Sequence, residues 1–398
     1  MEPTDIEFGA AMKEGCFHFE EGFTFVNHGS FGAVPTKIRE KQKQLQDVLN
    51  DNPGVFYRRT RRELFPKSIE AAAKFLGADS SNLFLVQNAT TGVNTVLKSF
   101  PWQKGDEILA SMHTYKAVEN ACRKVAEFST GGHIHQFEIR FPIKDESEVV
   151  DSMTSFLDKH PRIKLAVLDH ITSPTALVFP VKKMIAECRK RGVLALIDAA
   201  HAPGQLEINL EQLDPDFYTG NFHKWMFTPR GCSILWIRKE HQSWCTPLVT
   251  SHMYKKGIQL EYCYQGTRDD IPYFLIPDSI KFYQDVGGRD KIVQYTKSLL
   301  DKASMLIAER LKTEVLQIPK SMEAPCMRIV VLPEYVGYEK TWEGSEKLFK
   351  DIMNINKVHC TIFPVQDELY LRLSANIYNQ MADYEKLADV LCQFTRKS

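Results

Sequence analysis

No stretch of this sequence is apolar for long enough to cross a bilayer. The opening MEPTDIEFGAAMKEG is mildly acidic and lacks the apolar core of a secretory signal. The closing FTRKS carries no targeting or lipidation pattern. Charge of one sign is also missing. Lys plus Arg and Asp plus Glu each number 50, so the net charge is zero with histidine neutral and gives no general pull toward nucleic acid or an anionic membrane. The basic run RRTRRE (58–63) is short and reads as a solvated face. Nine cysteines form no CxxC pair and no regular spacing, which argues against a disulfide framework or a zinc site. Reduced thiols in a cytoplasmic protein are the simplest account. Internal repeats, low-complexity tracts, GxxxxGK[ST] and GxSxG are all absent, which removes solenoids, P-loop nucleotide binding and the hydrolase elbow.

What is present is an alternation of short apolar runs with longer amphipathic ones. NLFLVQNA (82–89), DEILASM (106–112), IKLAVLDHI (163–171), VLALIDAA (193–200), PDFYTGNF (215–222) and CSILWI (232–237) read as strands. Several are apolar on both faces, as buried parallel strands are. Between them TTGVNTVLKSF (90–100), KAVENACRKVAEFS (116–129) and VKKMIAECRKRG (181–192) read as helices. The alternation predicts an α/β fold: a mostly parallel sheet with helices on both sides. After about residue 275 the texture changes to long helices, then to strands at MRIVVLP (327–333) and ELYLRLSANIY (368–378), a smaller α+β unit. The expected division is 36–274 for a large domain and 1–35 plus 275–398 for a small one.

The chemistry centres on GNFHKWMF (220–227), where Lys224 sits among aromatic residues. Such a lysine either snorkels its head to solvent or is held partly neutral to act as a nucleophile or base. Trp225 and Phe227 on their own read as core packing around a strand end. Asp198 ends the most apolar strand 26 residues earlier, and His201 follows it by three. In an open parallel sheet ligands bind at the carboxyl ends of strands. A carboxylate and a lysine at two successive strand ends match the needs of pyridoxal phosphate (PLP): a partner for the pyridinium nitrogen and an amine for the aldehyde. QNATTGVN (87–94), between a strand and a helix, offers backbone N–H groups with the Thr90 and Thr91 hydroxyls as an anion cradle, or is simply a capped helix start. His223 either adds a donor to that phosphate or is a satisfied core histidine. GGHIHQF (131–137) places His133 and His135 on one strand face, but no nearby carboxylate or cysteine completes a set, so no metal is expected.

DAAHAPGQ (198–205) followed by GNFHKWMFTPRG (220–231) resembles the Asp-x-x-His/Gln and His-Lys signatures of the class V aminotransferase family of PLP enzymes. The likeness runs from NHGSFGAVP (27–35) to LRLSANIYN (371–379). Within the class, these segments together with NATTGVN are most similar to the isopenicillin-N-epimerase-like branch, which also holds the hercynylcysteine sulfoxide lyase-like enzymes. The resemblance implies the type I PLP-dependent transferase fold. It implies Lys224 as the Schiff-base lysine, Asp198 as the partner of the pyridinium nitrogen, and His201 as a hydrogen-bond partner of the ring's phenolic oxygen. Ala89, Thr90, Thr91, Asn221 and His223 would hold the phosphate. Tyr115 is favoured over His113 as the ring stacked on the cofactor. Gly266 and Thr267 match a pair that reaches the phosphate of a neighbouring subunit, which implies a homodimer with shared active sites. Arg372 would bind the substrate α-carboxylate, and Asn27 and His28 would line the substrate pocket. Apart from the resemblance, the YRRTRRE run (57–63) offers Tyr57 and Arg58 as candidates to meet an acidic or sulfur-oxyacid substrate.

One departure matters. Cysteine desulfurases of the family carry a mobile loop with a reactive cysteine before the carboxylate-binding arginine, and VHCTIFPVQDELYLRLS (358–374) is too short for it. Cys360 reads instead as a small buried hydrophobe on a strand. The expectation is a PLP-dependent enzyme acting at Cα and Cβ of an amino acid, foremost a C–S β-lyase on a cysteine derivative or sulfoxide. An epimerase of the isopenicillin-N type, or a transaminase, is the alternative.

Overall fold

A computed structural model describes residues 4 and 6–395. Helices α1 (Thr36–Asp51) and α2 (Arg61–Phe75) lead into the sheet. Then follow β1 (Leu83–Val86), α3 (Ala89–Ser99), β2 (Glu107–Ser111), α4 (Lys116–Val125), β3 (Ile134–Phe137), α5 (Ser147–Lys159), β4 (Ile163–Asp169), α6 (Val181–Lys190), β5 (Leu194–Asp198), β6 (Phe217–Asn221) and β7 (Ser233–Ile237). The seven strands lie in the order β1-β7-β6-β5-β4-β2-β3. β2 through β6 pair in parallel, and β7 runs antiparallel to both β6 and β1. The sheet is therefore mostly parallel, as its apolar runs predict, with one reversed strand at CSILWI.

Strand residues point alternately to two buried faces. Phe84, Val86, Val167, Leu196 and Phe217 pack with α3 and α4 on one side. Leu85, Leu168, Ile197, Tyr218 and Trp236 pack with α2, α5 and α6 on the other. Each fully buried side chain of this size contributes roughly 1.5–3 kcal/mol, so the double-sided core fixes where the strands end. Those ends are what position the site.

The C-terminal part builds a second core. α7 (Ile276–Asp285) lies against α2, and the 24-residue α8 (Gly288–Leu311) leads away from it. β8 (Met327–Val331), α9 (Trp342–Asn356), β9 (Ile362–Val365), β10 (Glu368–Ser374) and α10 (Met381–Thr395) complete an α+β unit. Its strands form an antiparallel sheet in the order β9-β10-β8. Thr24–Phe25 pairs in parallel with Val358–His359, so the N-terminal segment is tied to this unit. Among the described residues no helix is long and apolar enough to cross a membrane.

α3 sits very close to β6, and Gly92 permits it. A Cβ at Gly92 would lie 2.1 Å from Thr219 Oγ1 on β6. Gly to Ala within a helix ordinarily stabilises by roughly 0.5–1 kcal/mol. Here the clash outweighs that gain, and Gly92→Ala is expected to destabilise the protein by about 1–3 kcal/mol in urea unfolding.

Candidate active site

β1 runs in the same direction as β5 and β6, since it and β6 are both antiparallel to β7. The start of α3, the turn after Asp198 and the short helix Phe222–Trp225 therefore meet at one edge of the sheet. They enclose a cavity of about 150 Å³. Ala89, Thr90, Tyr115, Asp198, His201, Asn221, His223 and Lys224 all line it.

Lys224 Nζ lies 3.1 Å from His201 Nε2. Burial lowers the lysine pKa to about 7, the Arg372 charge pushes in the same direction, and Asp198 partly opposes both. Near neutral pH this amine therefore divides between free base and ammonium. Burial, with the Lys224 and Arg372 charges, also keeps the His201 imidazole neutral, and its Nδ1 has no hydrogen-bond partner among the described residues. The lysine backbone is clamped from behind. His28 Nε2 bonds the Lys224 carbonyl at 2.7 Å while its Nδ1 meets Tyr378 Oη at 2.9 Å. Burial holds His28 neutral, with a pKa lowered to about 3. Gly32, at φ +70°, passes so close that a Cβ would sit 2.1 Å from the His223 carbonyl oxygen. His28 thus lies behind the lysine and not on the cavity wall. Trp225 packs its ring 4.9 Å from that of His28, consistent with core packing.

Asp198 has a neighbour that the sequence reading missed. Asp169, the last residue of β4, is in register with Asp198 and also lines the cavity. Desolvation raises both carboxyl pKa values, and the Asp198 charge raises Asp169 further. Asp198 accepts the Ala200 N–H at 3.0 Å and lies in the field of Lys224, while Ser111 donates to Asp169 at 3.3 Å. The proton of the pair belongs on Asp169, which leaves Asp198 as the anion. The signal was legible, because LDHI ends its strand just as LIDAA does.

At the start of α3, Asn88 Oδ1 accepts the Thr91 N–H at 2.8 Å and the Thr91 hydroxyl at 3.1 Å. Thr91 therefore serves the helix cap and does not reach the cavity. The Ala89 N–H is held by Asn221 Oδ1 at 2.9 Å, and Thr90 faces the cavity at the positive end of an 11-residue helix. His223 donates Nδ1–H to the Cys232 carbonyl at 2.8 Å, and burial, helped by the Lys224 charge, lowers its pKa to about 4. Its Nε2 can donate only once the ring gains a second proton, which an anion beside it would favour.

Arg372, on β10, is buried, and burial lowers its pKa to about 10, so it stays cationic. Nη1 donates to the Ser173 carbonyl at 2.6 Å, and Nη2 donates to Asn27 Oδ1 and Ser30 Oγ, both at 3.0 Å. Nε has no partner. Ser30 and Ser173 both line the cavity, so the guanidinium stands at its rim with Asn27 as its support. Tyr115 lines the wall, whereas His113 turns away to the Ile139 carbonyl at 3.1 Å and stacks on Phe141. Ser30, Asn88 and Ser173 were not foreseen, since isolated serines and a cap asparagine carry no spacing signal.

Four further predicted residues lie well away from the cavity lining, in the Tyr57 segment and the loop it meets. Tyr57 donates to the Arg268 carbonyl at 2.9 Å, Arg58 is exposed, and Gly266 (φ +95°) and Thr267 sit in the loop just before Arg268. Asp270 pins that loop to the Tyr57 segment by accepting from Arg61 at 2.7 Å and from Arg268 at 2.8 Å. Cys360 lies just past Val358–His359, fully buried, with its thiol pushed up to about 12. A thiol in that state is no nucleophile.

Known proteins resemble this chain over nearly its whole length. The chain is 29% identical to a putative L-cysteine desulfhydrase 1 of Oryza sativa subsp. japonica, over 98% of this chain and 86% of that protein. It is 26% identical to the hercynylcysteine sulfoxide lyase of Schizosaccharomyces pombe, over 97% of this chain and 98% of that protein. The solved structure of the cystine C–S lyase C-DES with cysteine persulfide superposes with a TM-score of 0.79 at 18% identity, covering 94% of this chain and 98% of that one. The sequence profile described as Aminotransferase class-V matches residues 59–387, and the chain belongs to that family.

Proposed function

We propose that this protein is a C–S β-lyase that acts on a cysteine derivative or sulfoxide, with pyridoxal 5′-phosphate as its cofactor. The observation that carries the reading is the cavity wall itself, where a buried lysine of pKa about 7 and the buried Asp198 share one cavity, with the Arg372 guanidinium bonded to Ser30 and Ser173 of its lining. The donor set fits the cofactor. Asp198 offers an anion to a ring nitrogen, the unpartnered His201 Nδ1 shows a ring with hydrogen-bonding capacity left over, and the α3 N-terminus with Thr90 and Asn221 suits a phosphate. PLP supplies an aldehyde that condenses with amines and a ring that stores the electron pair released at Cα.

The chain's own groups do the rest. The Arg372 guanidinium turns its planar fork toward the α-carboxylate and fixes which substrate bond stands ready to break. Lys224 Nζ removes the Cα proton, a task matched to a pKa of about 7. Asp198 stays ionised and holds a proton on the ring nitrogen, while the neutral Asp169 adds no second charge that would compete. Tyr115 is our candidate for the ring stacked on the cofactor. With the sulfur leaving group expelled, hydrolysis yields pyruvate and ammonia. The buried Cys360 supports a route in which no protein thiol accepts sulfur. The desulfhydrase and sulfoxide lyase relatives support the same class of reaction.

We also propose residues 36–274 as the large domain, residues 1–35 with 275–398 as the small one, and the cytoplasm as location, supported by nine free cysteines. A homodimer with shared sites is supported by the joined Tyr57 and Gly266–Thr267 surface beside exposed Val55, Leu248, Val249 and Leu260. In that reading Tyr57, Arg58, Gly266 and Thr267 serve the neighbouring subunit's site.

Three outcomes test this reading. First, cofactor-free protein should take up PLP, read as borohydride-reducible near-visible absorbance, at a rate that rises with pH through about 7. The attacking species is the neutral amine, so uptake at pH 5.5 should be roughly 30-fold slower than at pH 8, and Lys224→Ala should show no reducible signal at either pH. Second, Arg372→Lys should keep the absorbance but lose about 10–100-fold in kcat/KM for pyruvate release from cysteine conjugates or sulfoxides. Exchange of the Cα hydrogen with no pyruvate or ammonia would sink the lyase in favour of an epimerase. Third, Lys224→Ala and Thr267→Asp should each be inactive alone but regain activity after subunit exchange, since a mixed dimer holds one intact site. No recovery from a verified mixture would rule out shared sites.

A further inference from the structure

At the far end of the sheet from Lys224, the edge strand β3 carries His135 opposite Leu109 of β2. Glu107, two residues before Leu109, points to the same face. Its buried carboxylate lies 3.0 Å from His135 Nε2. His160, the residue that ends α5, brings a third group, and its ring stands 3.9 Å centroid to centroid from that of His135. Its ring nitrogens make no hydrogen bond among the described residues, and Phe156 backs the ring at 5.9 Å. One ligand atom from each of Glu107, His135 and His160 lies within 4.8 Å of the others. The carboxylate that the HIH segment lacked in sequence is thus supplied from 28 residues upstream, and a second imidazole from 25 residues downstream.

From this cluster we infer that Glu107, His135 and His160 form a binding site for a divalent transition-metal ion of the zinc class, separate from the active site. Two imidazoles and one carboxylate are a borderline donor set that suits zinc, and three protein ligands leave one position for water. Tetrahedral zinc with ligands at about 2.0–2.2 Å needs donor atoms roughly 3.3–3.6 Å apart, so side-chain torsions alone close the gap. The ion takes the place of the hydrogen bond between His135 Nε2 and Glu107, so that each presents a lone pair to the metal. Arg162, which donates to Glu107 at 2.8 Å, is mostly exposed and can swing aside. His135 and His160 are only half-buried, so the ion has a path in from solvent. Once bound, it joins β2, the edge strand β3 and the end of α5, where β3 otherwise has a single strand neighbour. The ion bears on sheet-edge stability and not on the reaction.

The test uses holoenzyme freed of adventitious metal by a chelator and then titrated with zinc sulfate. Expected are one zinc retained per chain by elemental analysis, a raised Tm, and one anomalous-scattering peak between the three side chains in a zinc-soaked crystal. His160→Ala and Glu107→Gln should each weaken zinc binding at least about tenfold, leaving cofactor absorbance and zinc-free turnover unchanged. If Glu107→Gln fails to fold, the half-buried His160→Ala decides alone. No retained zinc, or zinc bound equally well by the His160→Ala protein, overturns the proposal.

Discussion

The desolvation of one amine governs this molecule. Moving an ammonium out of water costs several kcal/mol, and the Lys224 site meets that cost by letting the proton go at about pH 7. Other features of the site follow from keeping that balance. His201 must be neutral to face Nζ at 3.1 Å without repulsion, and burial makes it so. Asp198 must be near enough to oppose the shift but not so close that it forms a salt bridge, which would fix the lysine as a cation. Arg372 adds a standing positive charge that favours the free amine.

Backbone geometry protects the arrangement. The His28 hydrogen bond to the Lys224 carbonyl and the close passage of Gly32 fix the chain behind the lysine, and both come from the N-terminal segment. That segment is paired with Val358–His359, beside the sheet that carries Arg372. The two cores therefore meet through the same few residues that hold the reactive amine.

Much of this was legible in the sequence for definite reasons. Double-sided apolar runs gave the buried strands, because burial on both faces removes polar residues from every position. Asp198, His201 and Lys224 were legible because each stands at or just past a strand end. Local geometry hid the rest. That Thr91 caps a helix while Thr90 faces the cavity depends on a helical rotation of about 100° per residue, which neighbouring letters do not reveal. His28 reads as a polar residue fit for a substrate, yet it bonds a backbone carbonyl. The edge cluster was missed because its members lie in three segments and only register unites them: Leu109 opposite His135 brings Glu107 to it.

The paired carboxylates show why position alone does not assign a role. Asp169 and Asp198 end adjacent parallel strands in register, both lose water, and neither can be ionised without raising the other. What separates them is the field of Lys224, which acts on Asp198, and the Ala200 N–H, which Asp198 accepts. Asp169 is raised first by its own burial and then by the charge of its neighbour, with the Ser111 hydroxyl opposing. The pair thus divides one proton unequally, and the neutral partner holds the anionic one in a fixed, low-dielectric setting where its charge acts strongly. A single carboxylate at this edge, open to water, would be screened and would hold a ring-nitrogen proton less firmly. Adjacent positions at two strand ends thus differ in charge because their partners differ.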